Sequence, residues 1–150
     1  MSKINEILSA AQQRGKELNL QYAGALTPEE AYELMQTAPG VRLVDVRTKA
    51  EMDFVGHVPG AESIEWACYP EMKNNPHFLP QLEQQVDKEA LVIFICRSGV
   101  RSHHAATVAA KAGYTESYNV LEGFEGDPDS GKQRNTLNGW RKSGLPWEQS

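Results

Sequence analysis

Cysteine is scarce in this sequence: of 150 residues only two, Cys68 and Cys96, are cysteine. Two widely spaced cysteines do not form a disulfide framework, and the chain contains no Cys-x-x-Cys pair. A structural zinc site would need more ligands at tighter spacing. Each cysteine is therefore interpreted alone, either as a small buried hydrophobic residue or as a reactive thiol.

Positive charge is also in deficit, because 15 lysines and arginines face 20 aspartates and glutamates, for a formal net charge of −5. Domains that bind nucleic acid usually have a basic surface, so no nucleic-acid partner is expected. No apolar run approaches the length of a membrane span, and the first residues lack the apolar region of a secretory signal. We therefore expect no membrane partner and a cytoplasmic location, where thiols stay reduced.

What remains is the composition of an ordinary globular domain, with 40% apolar and 23% charged residues. Apolar periodicity and turn residues predict helices over 3–18, 28–37, 48–54, 80–86, 103–112 and about 135–142, and strands over 41–46, 63–64, 91–95 and 117–120. Strands that alternate with helices indicate an α/β domain with a mainly parallel sheet. Residues 1–20 are expected to form an amphipathic helix, capped by Ser2, that packs on the domain of residues 21–150 or on a partner.

The most informative segment follows the continuous apolar run Leu91–Ile95, which is typical of a strand buried on both faces. Cys96 comes directly after this strand and before a predicted helix, at the place where parallel sheets bind ligands. The start of a helix offers free N–H groups and a partial positive charge. Gly99 allows the loop to turn its amides inward as an anion-binding nest, which would favour a nucleophilic thiolate at Cys96.

Two arginines follow this cysteine within five residues. Arg97 and Arg101 lie close to a helix N-terminus, where positive charge opposes the helix dipole. Binding of an anionic substrate explains their position, whereas no structural role is evident from the sequence. The alternative interpretation is that Cys96 is an ordinary core residue at a strand end. Asp45 and Arg47 follow another predicted strand, and they either orient the Cys96 loop or form a structural ion pair.

Four segments together resemble the rhodanese-like sulfurtransferases, over a stretch from about Ala25 to Trp147. They are the strand end Leu43–Arg47, similar to the family's Asp-x-Arg; Gly56–Ala61, similar to its "GHIPGA" signature; the loop Cys96–Ser102, similar to its active-site loop; and Asn119–Phe124, similar to its "V-x-GG" element. Glu122 stands where that last element usually has glycine.

The resemblance implies a doubly wound α/β fold, with helices on both faces of a mainly parallel sheet. It also implies a sulfurtransferase that moves sulfane sulfur through a Cys96 persulfide, with neither cofactor nor metal. The donor would be thiosulfate or a persulfide, and the acceptor cyanide, a low-molecular-weight thiol, a thioredoxin-like protein or a sulfur-carrier protein. The substrate would be bound by the rest of the loop: Arg97, Ser98, Gly99, Val100, Arg101 and Ser102.

Other functions remain open at this point. The chain could be a sulfur carrier or a regulatory interaction module with little turnover. A cysteine phosphatase or arsenate reductase is disfavoured because those enzymes use Cys-x5-Arg, whereas here the arginine comes one position sooner, at Arg101, and Ser102 takes the phosphatase position. Cys68 is either a resolving thiol that accepts sulfur from Cys96 or an inert packed thiol.

Overall fold

The computed structural model describes residues 3–149, so the proposed cap Ser2 lies outside the described residues. The helices are α1 (Lys3–Glu17), α2 (Pro28–Thr37), α3 (Lys49–Phe54), α4 (Phe78–Gln85) and α5 (Val100–Lys111), and the strands are β1 (Gly24–Leu26), β2 (Arg42–Asp45), β3 (Glu62–Ser63), β4 (Ala67–Cys68), β5 (Lys73–Asn74), β6 (Val92–Ile95) and β7 (Ser117–Val120). No helix within the described range is long and apolar enough to cross a membrane.

Five strands form one parallel sheet in the order β1-β7-β6-β2-β3, and β4 and β5 form a separate antiparallel pair. Helices cover both faces of the large sheet. Along β6, Val92 and Phe94 point into a core shared with α4 and α5, while Ile93 and Ile95 point into a core shared with α1 and α2. This alternation explains the uninterrupted apolar run, and it confirms the predicted α/β fold with a mainly parallel sheet.

Helix α1 packs on its own domain rather than leaving its apolar face free, and its backbone approaches β1 closely. A Cβ atom at Gly24 would lie 2.5 Å from the carbonyl oxygen of Ala11. Arg14 reaches across to the Ala25 carbonyl at 2.7 Å and forms a two-bond ion pair with Glu30. The first helix is therefore fixed by backbone packing as well as by charge.

The predicted helix over 135–142 is wrong, since this segment consists of turns and bends. Asn135 and Gly139 have φ values of +67° and +108°, which a right-handed helix cannot contain. Gly139 also lies so close to the Gly126 backbone that a Cβ atom would clash with it. Long-range contacts therefore determine this loop, and the local residue pattern does not.

Several boundaries also differ from the prediction. Strands β1, β4 and β5 were not predicted, because each has only two or three residues and gives little periodic signal. Helix α4 begins at Phe78, before the proline, because a proline in the first turn costs no helical hydrogen bond. Helix α5 begins at Val100 rather than at residue 103, so Arg101 lies in its first turn.

The packing of α1 on β1 leads to the first prediction. We expect Gly24→Ala to lower the free energy of unfolding by about 1–3 kcal/mol, because the added methyl group overlaps the α1 backbone. Urea denaturation measures the change. Gly131→Ala is the matched control, since its nearest neighbour is a side-chain oxygen of Asp129 at 3.3 Å rather than backbone, and its φ is not positive. Equal denaturation midpoints for the two variants would contradict this account of the α1 contact.

Candidate active site

Cys96 lies immediately after β6, at the carboxyl end of the central parallel strands. Its side chain is enclosed, with only 1% of the residue exposed. Two donors point at its sulfur: the backbone N–H of Gly99 at 3.1 Å and the hydroxyl of Ser102 at 3.2 Å from Sγ. A sulfur that accepts hydrogen bonds in this way is stabilised as an anion.

Gly99 is the residue that turns the chain from the loop into α5. Its φ is +106°, a value that side chains disfavour, and it is the N-cap of the helix. The turn directs its N–H at Cys96, while its carbonyl accepts the first helical bond from the N–H of His103 at 3.1 Å. Glycine is thus needed at this position, because one residue must donate to the sulfur and also accept the first hydrogen bond of the helix.

The segment after β7 supports the loop from outside. Phe124 N–H donates to the Cys96 carbonyl at 2.8 Å, and Glu125 N–H donates to the Arg97 carbonyl at 3.0 Å. A Cβ atom at Gly123 would lie 2.6 Å from both of those carbonyl oxygens. These contacts fix the two carbonyl groups at the start of the loop.

Arg101 has a structural partner that the sequence analysis missed. Its guanidinium donates two hydrogen bonds to the Glu51 carboxylate, at 2.7 and 2.9 Å, so the expectation that no structural role explains this cation is wrong. Burial raises the pKa of Glu51, but the hydrogen bonds and charge of Arg101, helped by Thr48, lower it to about 2. The detectable signal was Thr48 followed three residues later by Glu51, which forms a capping box at α3.

Arg97 is the loop cation that remains accessible. Its side chain is 49% exposed, and its Nε lies 3.4 Å from a Glu125 carboxylate oxygen. A cavity of about 510 Å³ opens beside it, and its lining includes Arg97, Arg101, Phe54 and Tyr69. An anion that enters this cavity therefore meets Arg97 without first separating the tighter pair of Arg101 and Glu51.

Asp45 and Arg47 form a fully buried ion pair, with Nη2 2.7 Å from Oδ2. Arg47 also donates to the Gly56 carbonyl at 2.8 Å, and its guanidinium lies 4.4 Å from the centre of the Phe124 ring. The backbone N–H of Phe124 donates to the Cys96 carbonyl. The ion pair of Asp45 and Arg47 therefore supports the segment after β7 that holds the Cys96 loop. The geometry fits the structural alternative for these two residues.

Cys68 is a free thiol in β4, partly exposed and facing a different cavity from that of Arg97. Desolvation and the neighbouring Glu65 carboxylate raise the pKa of its thiol. A raised pKa keeps a thiol protonated and less nucleophilic, which favours the inert interpretation of this residue.

A model of the rhodanese-like domain matches residues 27–127, which is more than half of the chain. The chain belongs to the rhodanese-like domain family. This rhodanese-like chain is 32% identical to thiosulfate sulfurtransferase GlpE of Haemophilus influenzae over 101 residues, which cover 67% of this chain and 84% of the relative. It is 34% identical to protein RP600 of Rickettsia prowazekii over 122 residues, which cover 79% and 92% of the two chains.

Solved structures agree with this assignment. The crystal structure of Rv0390 from M. tuberculosis superposes with a TM-score of 0.79 at 44% identity, and the match covers 86% of this chain and 99% of that one. The rhodanese-like fold predicted from the sequence motifs is thereby confirmed.

The ion pair of Glu51 and Arg101 predicts a pH dependence of stability. Since the folded state holds the pKa of Glu51 near 2, below its usual 4.5, the contribution of the pair is complete above pH 4.5 and is lost as pH falls towards 2. We expect wild type to have a larger free energy of unfolding than Glu51→Gln at neutral pH. This difference should shrink as pH falls from 4.5 towards 2. Urea denaturation at several pH values measures it.

Glu83→Gln is the matched control, because Glu83 forms an exposed ion pair with Lys88 at 3.1 Å. Exposed pairs contribute little, so this variant should differ from wild type only slightly at any pH. A constant difference between wild type and Glu51→Gln from neutral pH down to about 2 would contradict the described role of Arg101.

Proposed function

We propose that this protein is a sulfurtransferase that carries sulfane sulfur on Cys96 and passes it to a thiol or to cyanide. The observation that carries the proposal is the position of Sγ, enclosed at the end of β6 and facing the donors of Gly99 and Ser102. The similarity to GlpE, a thiosulfate sulfurtransferase, supports the same reaction class. Ser102 also occupies the position where a phosphatase loop would need arginine.

The reaction we propose has two half-reactions. The Cys96 thiolate attacks the outer sulfur of thiosulfate, the sulfur–sulfur bond of thiosulfate breaks, and sulfite leaves with the electron pair. Cys96 then holds a persulfide. A thiolate or cyanide attacks the outer persulfide sulfur, takes it, and leaves the Cys96 thiolate restored, so the cycle needs no other oxidant or reductant.

The loop suits this chemistry because negative charge stays on sulfur throughout. The N–H of Gly99 and the hydroxyl of Ser102 are already directed at Sγ and need no rearrangement to stabilise the thiolate. Arg97 offers the accessible positive charge for thiosulfate, while Arg101 is held by Glu51. Ser98 and Val100 complete the set of loop residues that we propose to contact substrate.

A second candidate, a sulfur carrier that serves a protein partner, is favoured by the 1% exposure of Cys96. A thiol so enclosed offers small molecules in solvent little access. We include a persulfide as an alternative donor. The proposed acceptors are low-molecular-weight thiols, thioredoxin-like proteins and sulfur-carrier proteins. A cytoplasmic location would keep such acceptors reduced.

Sulfur loading tests the proposal directly. After incubation with thiosulfate, intact-protein mass spectrometry should detect a gain of one sulfur atom in wild type, removed by cyanide, and no gain in Cys96→Ser. Cys68→Ser is the matched control and should load like wild type. If folded, reduced wild type gains no sulfur from thiosulfate or from a persulfide donor, the proposal fails and the interaction module becomes the preferred function. Loading without turnover on small acceptors would favour the carrier.

The role of Arg97 gives a kinetic prediction. Arg97→Ala should raise the KM for thiosulfate by roughly three- to tenfold, since one charge-assisted contact is lost, and should leave kcat nearly unchanged. Steady-state thiocyanate formation measures both constants, and Arg97→Lys, which keeps the charge, should retain most of the affinity. An unchanged KM in Arg97→Ala would show that thiosulfate does not use this cation.

A further inference from the structure

Asn119 is a buried polar residue beside the Cys96 loop that the proposed reaction does not use. It lies on β7 with 3% of its surface exposed, and its Nδ2 donates to the Gly99 carbonyl at 3.2 Å. Its Oδ1 is buried and has no hydrogen-bond partner among the described residues. A buried amide with an unpaired oxygen costs stability, so its presence calls for a reason other than packing.

A second contact reaches the same turn through Tyr22. The Tyr22 hydroxyl lies 2.7 Å from Nδ1 of His103, which belongs to α5. The side chain of His103 is thus held by a tyrosine from outside the loop.

His103 links Tyr22 to the carbonyl that Asn119 contacts. Its backbone N–H donates to the Gly99 carbonyl at 3.1 Å, so Asn119 and the pair of Tyr22 and His103 both act on that carbonyl. Burial, which raises the pKa of Tyr22 to about 12, keeps its hydroxyl protonated. Burial and the neighbouring His104 lower the pKa of His103, so at pH 7 the hydrogen bond between Nδ1 and the Tyr22 hydroxyl joins two neutral groups.

Gly99 is the residue that most needs such support. It lacks a side chain, its φ is +106°, and its N–H is one of the two groups aimed at Cys96 Sγ. Two donors from different elements, α5 and β7, hold its carbonyl. Fixing the carbonyl restricts rotation of the same residue whose N–H serves the sulfur.

We propose that Asn119 is a positioning residue for Cys96: together with Tyr22 it fixes the carbonyl of Gly99 and thereby keeps the Gly99 N–H directed at the sulfur. This inference rests on the proposed role of Cys96 as a nucleophile. It assigns a function to Asn119 and Tyr22, two residues outside the loop that the sequence analysis did not select as site residues.

The test measures the reactivity of Cys96 without any sulfur donor. In a Cys68→Ser background, where Cys96 is the remaining thiol, the rate of modification by iodoacetamide is followed against pH. Asn119→Leu should slow modification at neutral pH by roughly three- to tenfold and move the profile to higher pH, because one hydrogen bond that orders the loop is lost. Tyr22→Phe, which keeps the ring, should change the profile in the same direction by a smaller amount.

Ser117→Ala is the matched control. Ser117 lies on the same strand, is fully buried, and donates to the carbonyl of Ala106 in α5 at 3.0 Å, away from the loop. Its loss should lower stability but leave the reactivity of Cys96 unchanged. The proposal is overturned if Asn119→Leu folds and keeps the wild-type profile, or if Ser117→Ala moves the profile equally, which would indicate a general loosening of α5.

If Asn119→Leu does not fold, Tyr22→Phe decides the question: a wild-type profile in that variant overturns the proposal, and a shifted profile supports it. The result is separate from the proposed reaction. Failure of wild type to load sulfur, combined with a shift in the iodoacetamide profile of the variants, refutes the sulfurtransferase and leaves the positioning role of Asn119 in place.

Discussion

The backbone of Gly123 lies against the carbonyl groups of Cys96 and Arg97, at a distance that excludes even a methyl group. The arrangement of the loop depends on this approach, because it lets Phe124 and Glu125 donate to those carbonyls and fix their positions. The amide of Gly99 is then free to point inward at sulfur. Two neighbouring strands, β6 and β7, therefore build the site together, and neither could hold it alone.

Charge at the site is largely cancelled in pairs. Asp45 neutralises Arg47 in the interior, and Glu51 neutralises Arg101 beside the loop. Buried pairs of this kind contribute order rather than net attraction for a distant anion. In a chain of net charge −5, the accessible positive charge beside Cys96 is then that of Arg97 and of the oriented amides at the start of α5.

Local sequence patterns were sufficient for the buried strand before Cys96, for the extent of helix α2, and for the position of the thiol in the sheet. They failed where structure depends on distant residues. The partner of Arg101 lies 50 positions away, and the turns around Gly139 are set by the backbone of Gly126. Strand β1 is defined by its pairing with β7, because three residues are too few to show the alternation of apolar and polar residues that predicts a strand.

The two edge strands of the large sheet affect whether copies of this protein can associate through β pairing. The outer strands are β1, with three residues, and β3, with two, while the strands between them have four. A short outer strand presents few unpaired N–H and C=O groups on which a second sheet could grow. The central strand β6, with its uninterrupted apolar run, is thereby kept from acting as a template for intermolecular β pairing.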